Sequence, residues 1–132
     1  MKDYVLDASA LVLALNGKTE EAGRLRGRLP GMRLHAPHLI DAEVGSVLRR
    51  HEQAKLISTE EAGTALRATR VLIHHRYPHA GPLSQLAWTW RENLSFYDAL
   101  YVALAVRLGA PLLTGDARLT RSPSLSCDIE LI

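Results

Sequence analysis

Apolar residues recur along this chain in two rhythms. Short unbroken runs alternate with longer stretches in which apolar positions return every three or four residues. The first rhythm suits buried strands and the second suits amphipathic helices. Tyr4-Val5-Leu6, ending at Asp7, predicts a first strand, and Ser9 to Leu15 predicts a helix with Asp7 and Ser9 at its mouth. A helix opening at Thr19-Glu20-Glu21 is apolar at Ala22, Leu25 and Leu29 and stops at Pro30-Gly31. Its Arg24 and Arg28 share a face and Arg26 points away, so they make no single basic stripe. Leu34-His35-Ala36 predicts a second strand. Leu39 to Gln53 predicts a helix, with Ile40, Val44, Val47 and Leu48 on one side. Ser58-Thr59-Glu60-Glu61 reads as a capping box opening a helix to about Arg70, and Val71-Leu72-Ile73-His74 as a third strand. Pro78 to Pro82 is expected to be a loop. Leu83, Leu86, Ala87, Trp90 and Leu94 then mark an amphipathic helix that delivers the chain to Ser95.

From Ser95 the pattern changes. Ser95 and Asp98 stand at capping-box spacing, and Ala99 to Leu108 is apolar almost throughout, which places that helix inside the domain. Gly109 fits its C-terminal cap. Leu112-Leu113-Thr114 predicts a buried parallel strand, Gly115-Asp116 closes it, and Asp116 can cap a following helix. Asp128 to Leu131 predicts a last edge strand. Strands alternating with helices imply one α/β domain over residues 1–132. Its small central parallel sheet should have about four or five strands, with helices on both faces.

Composition narrows the setting. No apolar run approaches the ~18 residues that span a bilayer, and the acid at Asp3 and the lack of an apolar leader argue against a signal peptide. The single Cys127 excludes an internal disulfide and fits a reducing, cytoplasmic location. A net charge of +2 establishes no nucleic-acid partner by itself, although Arg outnumbers Lys by 13 to 3. Arg suits bidentate phosphate contacts. Arg49, Arg50, Arg118 and Arg121 are candidates for RNA binding, and a solvated helix face explains them equally well.

The chemistry lies in carboxylates. Asp7 and Asp116 each follow a strand, Asp98 opens a helix, and Glu43 falls near the start of another. All four are thereby placed at the carboxyl edge of the sheet, where open α/β sheets bind ligands. Taken singly, each acid is explained as a cap or as a first-turn charge favoured by the helix dipole. Together they repel one another unless protons or cations intervene, and carboxylate oxygens suit Mg²⁺ or Mn²⁺. The histidines His74, His75 and His79 match no standard zinc spacing. Trp88 and Trp90 point to different helix faces; Trp90 reads as core, and Trp88 as a surface residue for a partner or a base. Cys127 reads as an ordinary buried thiol.

The segments Val5 to Leu11, Glu43-Val44, Tyr97 to Ala105 and Leu113 to Leu119 resemble the PIN domain, in particular the VapC-type toxins of toxin–antitoxin pairs. The resemblance spans essentially the whole chain. It implies a three-layer sandwich and a Mg²⁺- or Mn²⁺-dependent endoribonuclease in which Asp7, Glu43, Asp98 and Asp116 hold metal and Ser9 and Thr114 support them. It also implies an RNA substrate, a cognate antitoxin that docks on the helices around Ala10–Leu15 and Ile40–Leu48, and hydrolysis by metal-activated water. A sheet edge and apolar helices permit a homodimer. Many relatives carry Asn three residues beyond the Glu, where this chain has Ser46. Two rivals stand beside this reading. One is another α/β phosphoryl-transfer domain, which would need a lysine after a late strand; Lys2, Lys18 and Lys55 are elsewhere. The other is a PIN-fold module that only binds RNA or protein, which loss of an acid would favour.

Overall fold

A computed structural model describes residues 1–121 and 127–132. Five strands form one parallel sheet: β1 (Lys2–Leu6), β2 (Met32–Pro37), β3 (His75–Tyr77), β4 (Leu112–Thr114) and β5 (Ile129–Leu131). Their spatial order is β3-β2-β1-β4-β5. The chain therefore builds outward in one direction from β1, then returns to build β4 and β5 on its other side. Right-handed crossovers place the helices of these two halves on opposite faces.

The first half carries α1 (Ala8–Asn16), α2 (Glu20–Arg28), α3 (Leu39–Gln53) and α4 (Thr59–Leu72), which pack on one another. The second carries α5 (Pro82–Trp88) and α6 (Phe96–Leu108), with α6 lying across β1 and β2. The result is the three-layer arrangement expected. Side chains stop the helices from drifting. Thr19 caps α2, and Ser58 and Glu61 form the full capping box of α4. Gly109 ends α6 in the left-handed conformation, φ 62°, which a side chain would strain. Residues Ala99 to Ala105 of α6 are all buried, so α6 is the hub its composition announced. No helix is long and apolar enough to cross a membrane among the described residues.

Three expectations need correction. The third strand is His75–Tyr77, not Val71–His74. Val71 and Leu72 finish α4, whose inner stripe continues through Ala62, Ala65, Thr69 and Leu72, while Val71 faces solvent at 79% exposure. A β-branched residue on the outer face of a helix imitated a strand. The helix before Ser95 stops at Trp88 rather than near Leu94. Beyond it the backbone tightens into i to i+3 bonds, Trp90 N–H to Ala87 O (3.1 Å) and Arg91 N–H to Trp88 O (3.2 Å). Trp90 and Leu94 nonetheless pack inward as expected. After Asp116 the chain forms only a short 3₁₀ turn, Ala117–Arg121.

Candidate active site

The sheet order reverses between β1 and β4, which leaves a crevice at their carboxyl ends. Asp7 lies in it, buried, as the residue that ends β1 and caps α1. One carboxylate oxygen, Oδ1, accepts from Ser9 Oγ–H (2.6 Å) and Ala10 N–H (3.0 Å); the other accepts from Thr114 Oγ1–H at 2.5 Å. Both hydroxyls also accept bonds. Gly115 N–H donates to Ser9 Oγ (2.9 Å), and Asp116 N–H donates to Thr114 Oγ1 (3.0 Å). Ser9 and Thr114 thus hold Asp7 and the β4 turn in one lattice. A Cβ at Gly115 would meet Ser9 Oγ at 3.3 Å and push on the hydroxyl that holds Asp7.

Asp98 enters from the opposite face of the sheet, in the first turn of α6, where its N–H is capped by Ser95 Oγ at 3.1 Å. Glu43 comes from α3. Asp41 is the acid in the first turn of that helix, and Glu43, two residues further on, lies just beyond that turn. The expectation that Glu43 belongs to the first turn was wrong, and the dipole explanation of it weakens accordingly. Asp116 follows β4, with its carboxylate clasped by Arg118 through Nη2 (2.6 Å) and Nε (3.0 and 3.2 Å).

The electrostatics tie the four acids together. Burial pushes the Asp7 carboxyl above its ordinary range; its hydrogen bonds oppose this, and Asp98 adds to it. Burial likewise raises Glu43, and both Asp98 and Asp7 raise it further. Asp98 is raised by burial and then by Asp116. Asp116 alone is lowered, because Arg118 holds it. Tyr101, one helical turn beyond Asp98, is buried with its hydroxyl beside Glu43, yet no partner stands at hydrogen-bonding geometry. Burial and the nearby carboxylates push that phenol well above its usual value. The sequence offered no signal for Tyr101 beyond a polar atom in an apolar run.

An all-oxygen set of mutually repelling carboxylates fits a hard divalent cation. Among the described residues no three acid or histidine side chains are already drawn into a ready cage. Mg²⁺ keeps waters of its own and takes one or two carboxylates directly. The remaining candidates divide. Arg118 is at the site, bonded to Asp116, and Arg121 is near enough to help lower Asp116. Arg50 lines a cavity of about 390 Å³ with Glu43, Ser46 and Tyr97. Arg49 is exposed and lines no cavity at the site. The histidines form no cluster: His74 Nδ1 accepts from Leu34 N–H (2.9 Å), and His75 stacks on His35. Cys127 is only partly buried.

Comparison with known proteins identifies the family. Residues 4–124 match the PIN domain. Ribonuclease VapC1 of Mycobacterium tuberculosis is 52% identical over 132 residues, covering 100% of this chain and 99% of the relative. Ribonuclease VapC9 of the same species is 41% identical, covering 97% of each. Among solved structures, the chain is similar in fold to VapBC2 of Rickettsia felis, solved bound to a promoter DNA fragment, with TM-score 0.71 at 14% identity over 98% of both chains. It is also similar to Mycobacterium tuberculosis VapC20, described as a sarcin-ricin loop cleaving toxin, with TM-score 0.69 at 17% identity, covering 89% of this chain and 93% of that one. PIN-domain ribonucleases of the VapC type generally depend on a divalent metal. With a family match over most of its length and relatives aligned end to end, this chain belongs to the PIN-domain family, in its VapC branch.

Proposed function

We propose that this protein is the endoribonuclease toxin of a toxin–antitoxin pair, acting in the cytoplasm with Mg²⁺ or Mn²⁺. The observation that carries the reading is the meeting of Asp7, Glu43, Asp98 and Asp116, from four separate elements, in one crevice, where Asp98 acts on Asp7 and Glu43, Asp7 acts on Glu43, and Asp116, itself held by Arg118, acts on Asp98. Asp7, Asp98, Asp116 and Glu43 would hold the ion. When bound, it would supply an activated water and polarise a phosphodiester oxygen. The protein's own part is positioning. Ser9 and Thr114 fix both oxygens of Asp7, so that its free lone pairs keep one direction. Burial of Asp7 and partial burial of Glu43 and Asp98 strengthen the charge interactions in the crevice. Arg118, on the rim at Asp116, can move to a substrate phosphate when a metal takes over that carboxylate.

The antitoxin reading rests on a groove. An apolar cavity of about 480 Å³ lies between α1 and α3, with Val12, Leu13, Val47 and Ile57 among its walls, and it ends at Ser9 beside the acids. An amphipathic helix laid there would reach the site. Expression of the wild type in cells, followed by mapping of new RNA 5′ ends, should show discrete cuts that Asp98→Asn removes and that the product of the neighbouring reading frame suppresses. Identical 5′ ends from wild type and Asp98→Asn would refute the proposal.

A further inference from the structure

Exposed aromatic side chains are few on this molecule, and they are not scattered. The chain has two Trp, four Tyr and one Phe. Tyr4 and Tyr101 are buried, and Trp90 and Tyr77 are partly buried against the core. The exposed ones are Trp88, Phe96 and Tyr97, at 58%, 37% and 58%. All three fall where α5 hands the chain to α6, in the stretch that ends at Asp98. The Trp88 and Phe96 rings meet edge to face with centroids 6.4 Å apart. The Arg91 guanidinium lies over the Trp88 ring, 5.0 Å from its centre, and is fixed there by donating to the Trp88 carbonyl (3.1 Å). Tyr97 shares its cavity with Glu43 and Arg50, so it joins the aromatic group to the acidic one.

The packing of the core does not call for this arrangement, because large aromatics gain from burial and these have not taken it. The acid cluster poses a second problem. Carboxylates repel a polyanion, and a net charge of +2 offers little general attraction. A substrate strand must be held by something other than charge. Aromatic faces do this for unpaired nucleotides, since every base presents a π-face, and interleaved guanidinium groups answer the phosphates.

We infer that Trp88, Phe96 and Tyr97 form a stacking platform that holds unpaired bases of RNA beside the acid cluster, with Arg91 backing one face of Trp88 and Arg50 on the phosphates. Trp88 and Tyr97 offer the faces, and Phe96 braces Trp88. This rests on the ribonuclease reading and adds to it the side chains that grip the strand. In a duplex the base faces are already stacked on one another and give the platform nothing to grip.

The test uses the full chain carrying Asp98→Asn, in Mg²⁺, with a short labelled single-stranded RNA and the same strand annealed to its complement. Trp88→Ala and Tyr97→Ala should each weaken single-strand binding about tenfold, as loss of one stacked base does. Duplex binding should stay within about twofold, and Tyr97→Phe should bind as the parent does, because the ring and not the hydroxyl is used. Unchanged single-strand affinity in both alanine variants would overturn the inference, as would equal losses on duplex and single strand. So would a wild-type dimer that Trp88→Ala converts to a monomer, for then the patch is an interface between copies. The two readings fail separately. If the wild type neither binds nor cuts RNA, the ribonuclease reading falls and takes the platform with it. If the wild type cuts RNA and the alanine variants bind and cut as it does, only the platform falls.

Discussion

Strand β1 carries an aspartate near each end, and strand alternation puts both on one face. Asp3 accepts from Arg33 Nη1 at 3.1 Å and meets His35 Nε2 at 2.7 Å, while His35 Nδ1 meets the Tyr77 hydroxyl at 2.8 Å. With Nε2–H donating to Asp3, Nδ1 is left to accept from Tyr77, and the chain of bonds across β1, β2 and β3 closes. Its partners, His35 first, hold the Asp3 carboxyl below the ordinary range. Asp7 receives three hydrogen bonds, yet it is pushed the other way. The number of bonds is therefore not the difference. The Asp7 donors are neutral hydroxyls and an amide, its surroundings are dry, and its charged neighbours are carboxylates. One end of the strand is a completed ion-pair network that serves the architecture. The other has its geometry in place and its carboxylates uncompensated by any cationic partner at Asp7 among the described residues.

The contrast can be broken in several ways. Chelation should have the largest effect: EDTA should abolish RNA cleavage, and Mg²⁺ or Mn²⁺ should restore it, since only the Asp7 end needs an ion. An undiminished rate in EDTA would remove the distinction altogether. Next come Asp7→Asn and Asp98→Asn, each expected to lower cleavage about a hundredfold or more. Thermal melting in metal-free buffer should show both variants at least as stable as the wild type, because repulsion is relieved. A large loss of Tm would instead make these acids structural.

The pH response should be opposite at the two ends. For Asp7, Glu43 and Asp98 the folded pKa lies above the unfolded one, so the native state binds more protons between the two values. Stability of the metal-free protein should then fall as pH rises from the ordinary carboxylate range through the raised values, and saturating Mg²⁺ should flatten that fall. Asp3 has a lowered folded pKa, so what it contributes is present above the ordinary range and is lost as pH falls through the lowered value. Melting curves across pH, with and without Mg²⁺, read both signs. The smallest effect is expected for Asp3→Asn: a slight drop in Tm at neutral pH with cleavage within about twofold of wild type, as for other exposed charges. A large loss of cleavage would show that the two ends are coupled.

How much of this was legible in the sequence depended on distance along the chain. Asp7, Asp98 and Asp116 were placed correctly because each adjoins an element boundary, and boundaries carry caps and turn residues that can be read locally. The Ser9 and Thr114 positions followed from the resemblance, and the structure supplies their bonds to Asp7. The depth of Glu43 was misread because Asp41 occupies the first turn that the local signal describes. The Asp3–His35–Tyr77 network could not be seen at all, since it joins three strands whose register only pairing decides. Nor could the position of Tyr101 beside Glu43, a meeting of two helices on opposite faces of the sheet. Val71 to His74 failed for the opposite reason: the local signal was strong, and the helix packing overrode it.

The hydroxyl of Thr114 that grips Asp7 reaches across 107 residues of chain. Closing so long a loop is slow compared with forming a helix. A polypeptide still being synthesised, if it ends short of Thr114, lacks both the latch on Asp7 and one of the four acids. It is a chemically inert fragment, however well its early helices have formed. Cutting power therefore arrives late and all at once, when β4 slots in beside β1. That timing separates the making of the chain from any use of its site.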